Sequence, residues 1–533
     1  MQRILRLIGI VLILALFAPT ASAQQATRSY LLLGKSDKLP ANLEQSVAEK
    51  GGAVAYTVPE IGMAVLTSAN PNFQAQMESV AEVESVAPDI QVSYEMPDFQ
   101  PQAMPHWSGS PFDFAQYQWN LDAIDAPEAW ATSERGAGVR IAIVDDGLFA
   151  AHPDLSPNLN VELSKSFIPD GVGPFTPANF PSHASLVAGI AAAVDDGFGI
   201  IGVAPQAEIV GVRVSTWTPD ASSPIGYAPS GTFADLAAGI VYAAKIDSDV
   251  INISLGGWVN KNGNCTNNSS DNCLTAKDVK KILKLLDRAT RYAHKKGALV
   301  IAAAGNDWTD ADTNGERYFL PAQSDNVIAV SATGPVNWIT FPETDLDVFA
   351  PYSNYGNSIV DFAAPGGNPT LAFDPSPCWA LFPVFDIFDE SGNLIQPGIL
   401  PCFYFDNVWG PSSSAAFPWT LASGTSAAAP HVSGVAALII GKNGGSMSPD
   451  LVEQLLQEGA DDLGVEGKDP FFGNGRVNAA ASLLAMDVTN SEKDKKDKRE
   501  VGDRSVTSSC ASAVWACPAS GQNLLFLGLI SNQ

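Results

Sequence analysis

From Trp119 onward the chain alternates between short, continuous apolar runs and longer segments with helical spacing. Residues 139–144, 209–214, 250–254, 298–303 and 327–331 each read as a strand that is apolar on both faces. Between them the apolar positions recur at helical intervals, which predicts helices over 186–194, 233–244 and 278–294. The last of these carries Lys280, Lys281, Lys284, Arg288 and Arg291 along an outer face. Buried strands separated by helices predict an α/β fold, with a parallel sheet covered by helices on both faces. Ligands in such folds bind past the carboxyl ends of the strands. Later helices are expected over 448–459, with Ser448 as cap and Pro449 at the first position, and over 478–484.

The part before Trp119 has a different texture. Strands at 30–33, 53–58, 62–67 and 83–87 alternate with helices at 43–50 and 73–80, which predicts a small α+β domain over 28–95. Residues 96–117 hold Pro97, Pro101, Pro105 and Pro111 with few aliphatic runs, and read as an exposed linker open to proteolysis. At the start, Arg3 and Arg6 precede an apolar stretch and the small-residue string Ala21-Ser22-Ala23, so 1–23 reads as an export signal. The apolar stretch is too short to span a bilayer. The main domain is expected over 118–487. Within it, 368–417 is rich in proline and aromatics, and reads either as a lid over a site or as a surface excursion. A mixed-charge linker follows over 488–505 and a tail over 506–533.

Composition narrows the partners. The chain has 533 residues, 46% of them hydrophobic, enough for a large core and more than one domain. Its net charge of −27 argues against nucleic acid and anionic membranes, both of which repel it. Cysteines 265, 273, 378, 402, 510 and 517 suit an oxidising compartment. Proximity in sequence suggests Cys265–Cys273, Cys378–Cys402 and Cys510–Cys517, although spacing alone leaves the connectivity open.

The candidate chemistry centres on Ser423-Gly424-Thr425-Ser426, a tight turn feeding a helix of small apolar residues. Ser426 falls in the first helical turn, where N–H groups without intrahelical partners can stabilise an oxyanion beside a nucleophile. A serine nucleophile needs a base, and the chain offers 5 histidines: His106, His152, His183, His294 and His431. His183 opens a helix, where the dipole favours neutral imidazole, the form a general base requires. Asp145 ends the strand 141–144 and can orient the histidine. Asp146 is the alternative, but side chains alternate along a strand and only one can face the ring. Asn306, after the strand ending at Ala303, offers a side-chain amide to a developing charge.

These pieces together resemble the subtilisin-like serine proteases, or subtilases. The match rests on Ile143-Val144-Asp145-Asp146-Gly147, Ala303-Ala304-Gly305-Asn306 and Gly424-Thr425-Ser426-Ala427-Ala428-Ala429-Pro430, in the family's order. Gly202-Val203-Ala204-Pro205, Asn252-Ile253-Ser254-Leu255-Gly256-Gly257 and Ala363-Ala364-Pro365-Gly366 support it. The resemblance covers 119–484. It implies a serine endopeptidase acting through an acyl-enzyme, with Ser426 as nucleophile, His183 as base, Asp145 orienting it and Asn306 in the oxyanion hole. Ser254, Leu255, Gly256, Ala303, Ala304 and Gly305 would line the groove for a polypeptide substrate. The 28–95 domain resembles the family's inhibitory propeptide, cut away within the linker. The resemblance further implies a secreted monomer and structural calcium at Asp154 and Asp196. The histidine box departs from the family pattern: Ala184 and Ser185 follow His183, where glycine and threonine are usual. That departure is the one feature favouring an alternative, an inactive subtilase-like scaffold or binding protein.

Overall fold

The computed structural model describes residues 26–94, 114–219, 227–265, 273–370, 378–388, 394–414 and 418–489. The export signal, most of the proline-rich linker, His106, Cys510 and Cys517 lie outside these. The described residues up to Leu483 form one compact unit, and 484–489 fall outside it.

The expected sheet has 7 strands in the order Phe362–Pro365, Val327–Thr333, Leu299–Ala303, Val250–Ile253, Arg140–Asp145, Glu208–Arg213 and Lys165–Ser166. All its ladders are parallel. The central strands are buried on both faces, hence their unbroken apolar runs. The helices Phe233–Lys245 and Ala276–Lys296 pack against one another. The helices His183–Ala192 and Thr425–Lys442 also pack together, and Thr425–Lys442 contacts the three strands between Val250 and Thr333. Small residues make that approach possible: a Cβ on Gly434 would lie 2.4 Å from Val203 Cβ. Among the described residues no helix is long and apolar enough to cross a membrane.

The N-terminal unit is a 4-stranded antiparallel sheet in the order Gly52–Val58, Met63–Ser68, Arg28–Gly34 and Val83–Pro88, with the helices Leu43–Glu49 and Phe73–Glu78. Its two central strands are covered on both sides. Tyr30 and Leu32 pack into the unit's own core, while Leu31 and Leu33 join the core that includes Phe233, Leu236, Ile282 and Leu285. The supposed outer face of the Ala276–Lys296 helix is therefore in part an interface. Lys281 and Arg288 are buried; Lys281 Nζ donates to Val86 O and Glu78, and Arg288 to Gly34 O and Ile61 O. The N-terminal unit ends in Gln91–Ser93, a strand not expected from the sequence, which pairs antiparallel with Tyr227–Thr232.

Cys265–Cys273 and Cys378–Cys402 are disulfides. The described part of the 368–417 insertion builds a satellite core in which Tyr404, Phe405 and Trp409 pack with Phe114, Tyr117, Ile200 and Trp419. The strand Val408–Pro411 lies against the His183–Ala192 helix.

Candidate active site

Asp145 is the last residue of its strand and His183 the first of its helix, so backbone geometry alone brings them to the sheet's carboxyl edge. His183 Nδ1 lies 2.9 Å from Asp145 Oδ2 and 3.1 Å from Oδ1. Asp146 is not a bystander. Its carboxylate accepts the His183 and Ala184 N–H groups at 3.0 and 2.8 Å, and the Trp217 indole N–H at 2.6 Å. The two carboxylates divide His183 between them: Asp145 takes its ring and Asp146 its backbone. A carboxylate at a helix N-terminus satisfies N–H groups that have no helical partner and opposes the positive end of the dipole.

The electrostatics depart from the dipole-based expectation for His183. Burial opposes its charged form, but the Asp145 charge, the hydrogen bond to it and the Asp146 charge outweigh burial, and the imidazole is raised above its ordinary value. Burial first, and then the neighbouring Asp145 charge, push Asp146 up to about 6.

The altered histidine box is accommodated. Ala184 is buried with its N–H on Asp146, and the Ser185 hydroxyl accepts the Phe149 N–H at 2.7 Å. Ser182 caps the helix by accepting the Ser185 N–H. The other described histidines are occupied structurally. His431 bridges Ala427 O and Asn120, and His152 bridges Pro418 O and the Asp154 N–H; burial lowers each to about 4. His294 pairs with Asp450.

Ser426 sits in the first turn of Thr425–Lys442 after an extended Gly424, and is 3% exposed. Its position is fixed by bonds that sequence reading did not anticipate. The Ser254 hydroxyl donates to Ser426 O at 2.8 Å and accepts from Asn252 Nδ2, while Asn252 Oδ1 accepts from Ser433. Asn306 Oδ1 accepts from both the N–H and the hydroxyl of Thr425, whose hydroxyl in turn accepts the Gly305 N–H. Thr425 thereby orients the Asn306 amide, with the oxygen engaged and the nitrogen on the opposite side of the group. Among the described residues, Ser426 Oγ and His183 Nε2 are both buried without a hydrogen-bond partner. Buried polar atoms are normally satisfied, so two orphans of complementary chemistry call for an explanation.

The expected groove segments line up in part. Ser254 touches the serine, whereas Leu255, Ala303 and Ala304 are buried, and the Ala304 N–H is spent on Val330 O. The strand Tyr227–Thr232, overlooked in the sequence because Pro229 and Gly231 interrupt its apolar pattern, pairs with Ser215–Pro219 on one side and on the other carries the chain's own Gln91–Ser93.

Asp154 and Asp196 do not form the cation site that the resemblance implied. Asp154 is buried, and its Oδ2 accepts from the Ile200 N–H at 3.0 Å and the Trp419 indole at 2.8 Å; Oδ1 is buried without a partner. Phe198 packs edge-on against Trp419 with centroids 5.3 Å apart. Asp196 is exposed and accepts the Phe198 N–H of its own turn. Calcium asks for six to eight converging oxygens, whereas here N–H donors converge on the one buried carboxylate. No group of three or more His, Cys, Asp or Glu suited to a metal occurs among the described residues. The residues present do not fit the ion.

Comparison with known proteins agrees with the geometry. Residues 136–475 match the subtilase family, peptidase S8. The chain is 31% identical over 367 residues to thermitase of Thermoactinomyces vulgaris, covering 69% of this chain and 95% of the relative. It is 26% identical over 465 residues to M-protease of Shouchella clausii, covering 87% and 93%. In fold it is similar to the epidermin leader peptide processing serine protease of Staphylococcus aureus, with a TM-score of 0.63 at 22% identity, covering 86% of this chain and 99% of that one. A strand-end aspartate against a helix-start histidine, with a serine at the head of the helix packed on the histidine's own, fits a serine-type endopeptidase, and the chain belongs to the subtilase family.

Proposed function

We propose that this chain is a secreted precursor whose N-terminal unit blocks the site until the enzyme cuts itself free. The reading of the site is carried by the two orphaned atoms, His183 Nε2 and Ser426 Oγ, with Asp145 already on the far side of the ring. Hydrogen bonds of this kind are often open without substrate and close in the reacting complex. Ser426 Oγ attacks the peptide carbonyl carbon while its proton passes to His183 Nε2. Asp145 holds Nδ1–H and stabilises the imidazolium. The oxyanion lies against the Asn306 amide and the Ser426 N–H. As the C–N bond breaks, His183 returns the proton to the leaving amine. Water then repeats the sequence on the acyl-enzyme, with His183 again as base.

Self-inhibition is supported by Gln91–Ser93 on the Tyr227–Thr232 edge, where an extended peptide would add as a strand. Loss of 28–95 by a cut within 96–117 would clear that edge.

Asn306→Ala is expected to lower kcat by about 10²–10³ with little change in KM, the size known for a subtilisin's oxyanion asparagine. Steady-state kinetics on one peptide substrate would measure it; a change confined to KM would remove Asn306 from the oxyanion hole. Calcium has no role in this reading. Because N–H donors already occupy Asp154 Oδ2, excess chelator should move the melting temperature by less than about 2 °C. A fall of ten degrees or so, restored by added calcium, would reinstate the ion.

A further inference from the structure

Two strand ends flank Ser426, and they run on as Ser254-Leu255-Gly256 and Ala303-Ala304-Gly305. Ser254 bonds the Ser426 carbonyl, and Asn306 bonds the Thr425 N–H, so the serine is held from either side. The ladder between these strands ends at Ile253 and Ala302, and beyond it the two segments are no longer paired with one another. In the groove proposed above, a peptide whose carbonyl carbon meets Ser426 Oγ, with its oxygen toward Asn306, would set the side chain on the acyl side of the scissile bond between these two segments, in a slot that they wall. Each segment carries a glycine there, and at Gly305 a φ of 98° itself favours that residue.

The slot is already filled. A Cβ built on Gly256 would stand 2.5 Å from Phe319 Cε1, and one built on Gly305 would stand 2.6 Å from Phe319 Cζ. One ring therefore reaches both walls. Phe319 is 1% exposed, and it is fixed from behind. Its strand, Arg317–Leu320, pairs antiparallel with Gly257–Asn260, which sets Trp258 opposite Phe319 with ring centroids 5.2 Å apart at 70°. The Trp258 indole donates to Asp307 and lies under the Arg317 guanidinium at 4.7 Å. The Phe319 N–H is tied to Gln323 Oε1 at 2.8 Å.

We propose that Phe319 closes this slot and restricts the enzyme to peptide bonds preceded by glycine or alanine. The inference rests on the assignment of Ser426 and Asn306 above, and adds to it the class of bond that is cut. A larger residue has to displace a buried ring braced by a second aromatic, and well-packed interiors resist such insertion. Selection here is by exclusion, with the repulsive element supplied by the enzyme's own side chain.

The test is a series of otherwise identical chromogenic peptides carrying glycine, alanine, leucine or phenylalanine before the scissile bond, given to the purified processed protein. The expected result is a kcat/KM for alanine at least about 10²-fold above that for phenylalanine. Equal values for the two overturn the proposal, since the ring would then swing aside at no cost. Phe319→Ala and Phe319→Gly are expected to raise the phenylalanine-to-alanine ratio at least about tenfold by opening the slot, and an unchanged ratio also overturns it. Should truncation unfold the protein, the sites cut by the unmodified enzyme in a denatured protein, read by mass spectrometry, decide the same question: cuts after glycine and alanine sustain the proposal and cuts after large residues overturn it. No cleavage of any peptide, together with no fluorophosphonate adduct on Ser426, is a different result: it removes the catalytic assignment and the slot with it.

Discussion

Ser426→Ala leaves the purified precursor intact at the 96–117 linker and lowers turnover of added peptides by about 10⁶-fold, the size known for the triad serine of a subtilisin. The expectation follows from the isolation of the hydroxyl. Ser426 is buried at the head of its helix, and the bonds around it run to backbone or to Thr425, none of them to Oγ itself. Removing one oxygen therefore costs the fold almost nothing while removing the nucleophile. The variant should keep the wild-type melting temperature, and should retain the N-terminal unit because no acyl-enzyme can form. Incubating it alone and following its mass tests both effects. A cut that appears in the isolated variant would refute self-processing, whereas a cut that appears only when active enzyme is added would be cleavage by another molecule.

Asp145→Asn should lower kcat/KM by about 10⁴-fold, as loss of the orienting carboxylate does in a serine protease triad. It should also move the acid limb of the pH profile. His183 acts as a base only when unprotonated, so activity falls as the pH drops through its titration. Burial pulls that titration down, but Asp145, the larger of the two nearby carboxylate influences, pulls it above the ordinary histidine value. Removing the Asp145 charge lets burial prevail, so the residual activity should persist to lower pH than in the parent. A kcat/KM profile for both proteins would show the shift; a limb that stays in place would mean that another group controls it. Asp146→Asn is the informative control. Asp146 bonds the His183 and Ala184 N–H groups, not the ring.

The proposed catalytic constellation is legible because each of its members marks its own position locally. Asp145 ends a run apolar enough to be a central strand, His183 begins a helix behind a serine cap, and Ser426 follows a glycine turn into a helix of alanines. Such features depend on neighbours a few residues away, and the peptide backbone reads them directly. The parallel sheet was legible for the same reason, since only strands covered on both faces can be apolar throughout.

What was not legible depends on partners far along the chain. Lys281 and Arg288 belong by spacing to a solvated face, yet the N-terminal unit, some 200 residues away in sequence, covers them and supplies carbonyls for their charges. Asp154 has the neighbours of a calcium ligand, but the Trp419 indole, 265 residues on, reaches its carboxylate. Phe319 looks like one more core residue until the strand pairing with Trp258 swings it between Gly256 and Gly305.

The amino-acid order by itself thus determined the α/β class, the placing of the strand ends and helix starts, and the identity of the groups available for acyl transfer, because these follow from short-range periodicity and capping. Tertiary packing alone decided which carboxylate serves the ring, which donors reach Asp154, and which ring packs against Gly256 and Gly305. Those outcomes turn on hydrogen bonds and van der Waals contacts a few ångströms long between residues hundreds of positions apart, and no local pattern encodes such a distance.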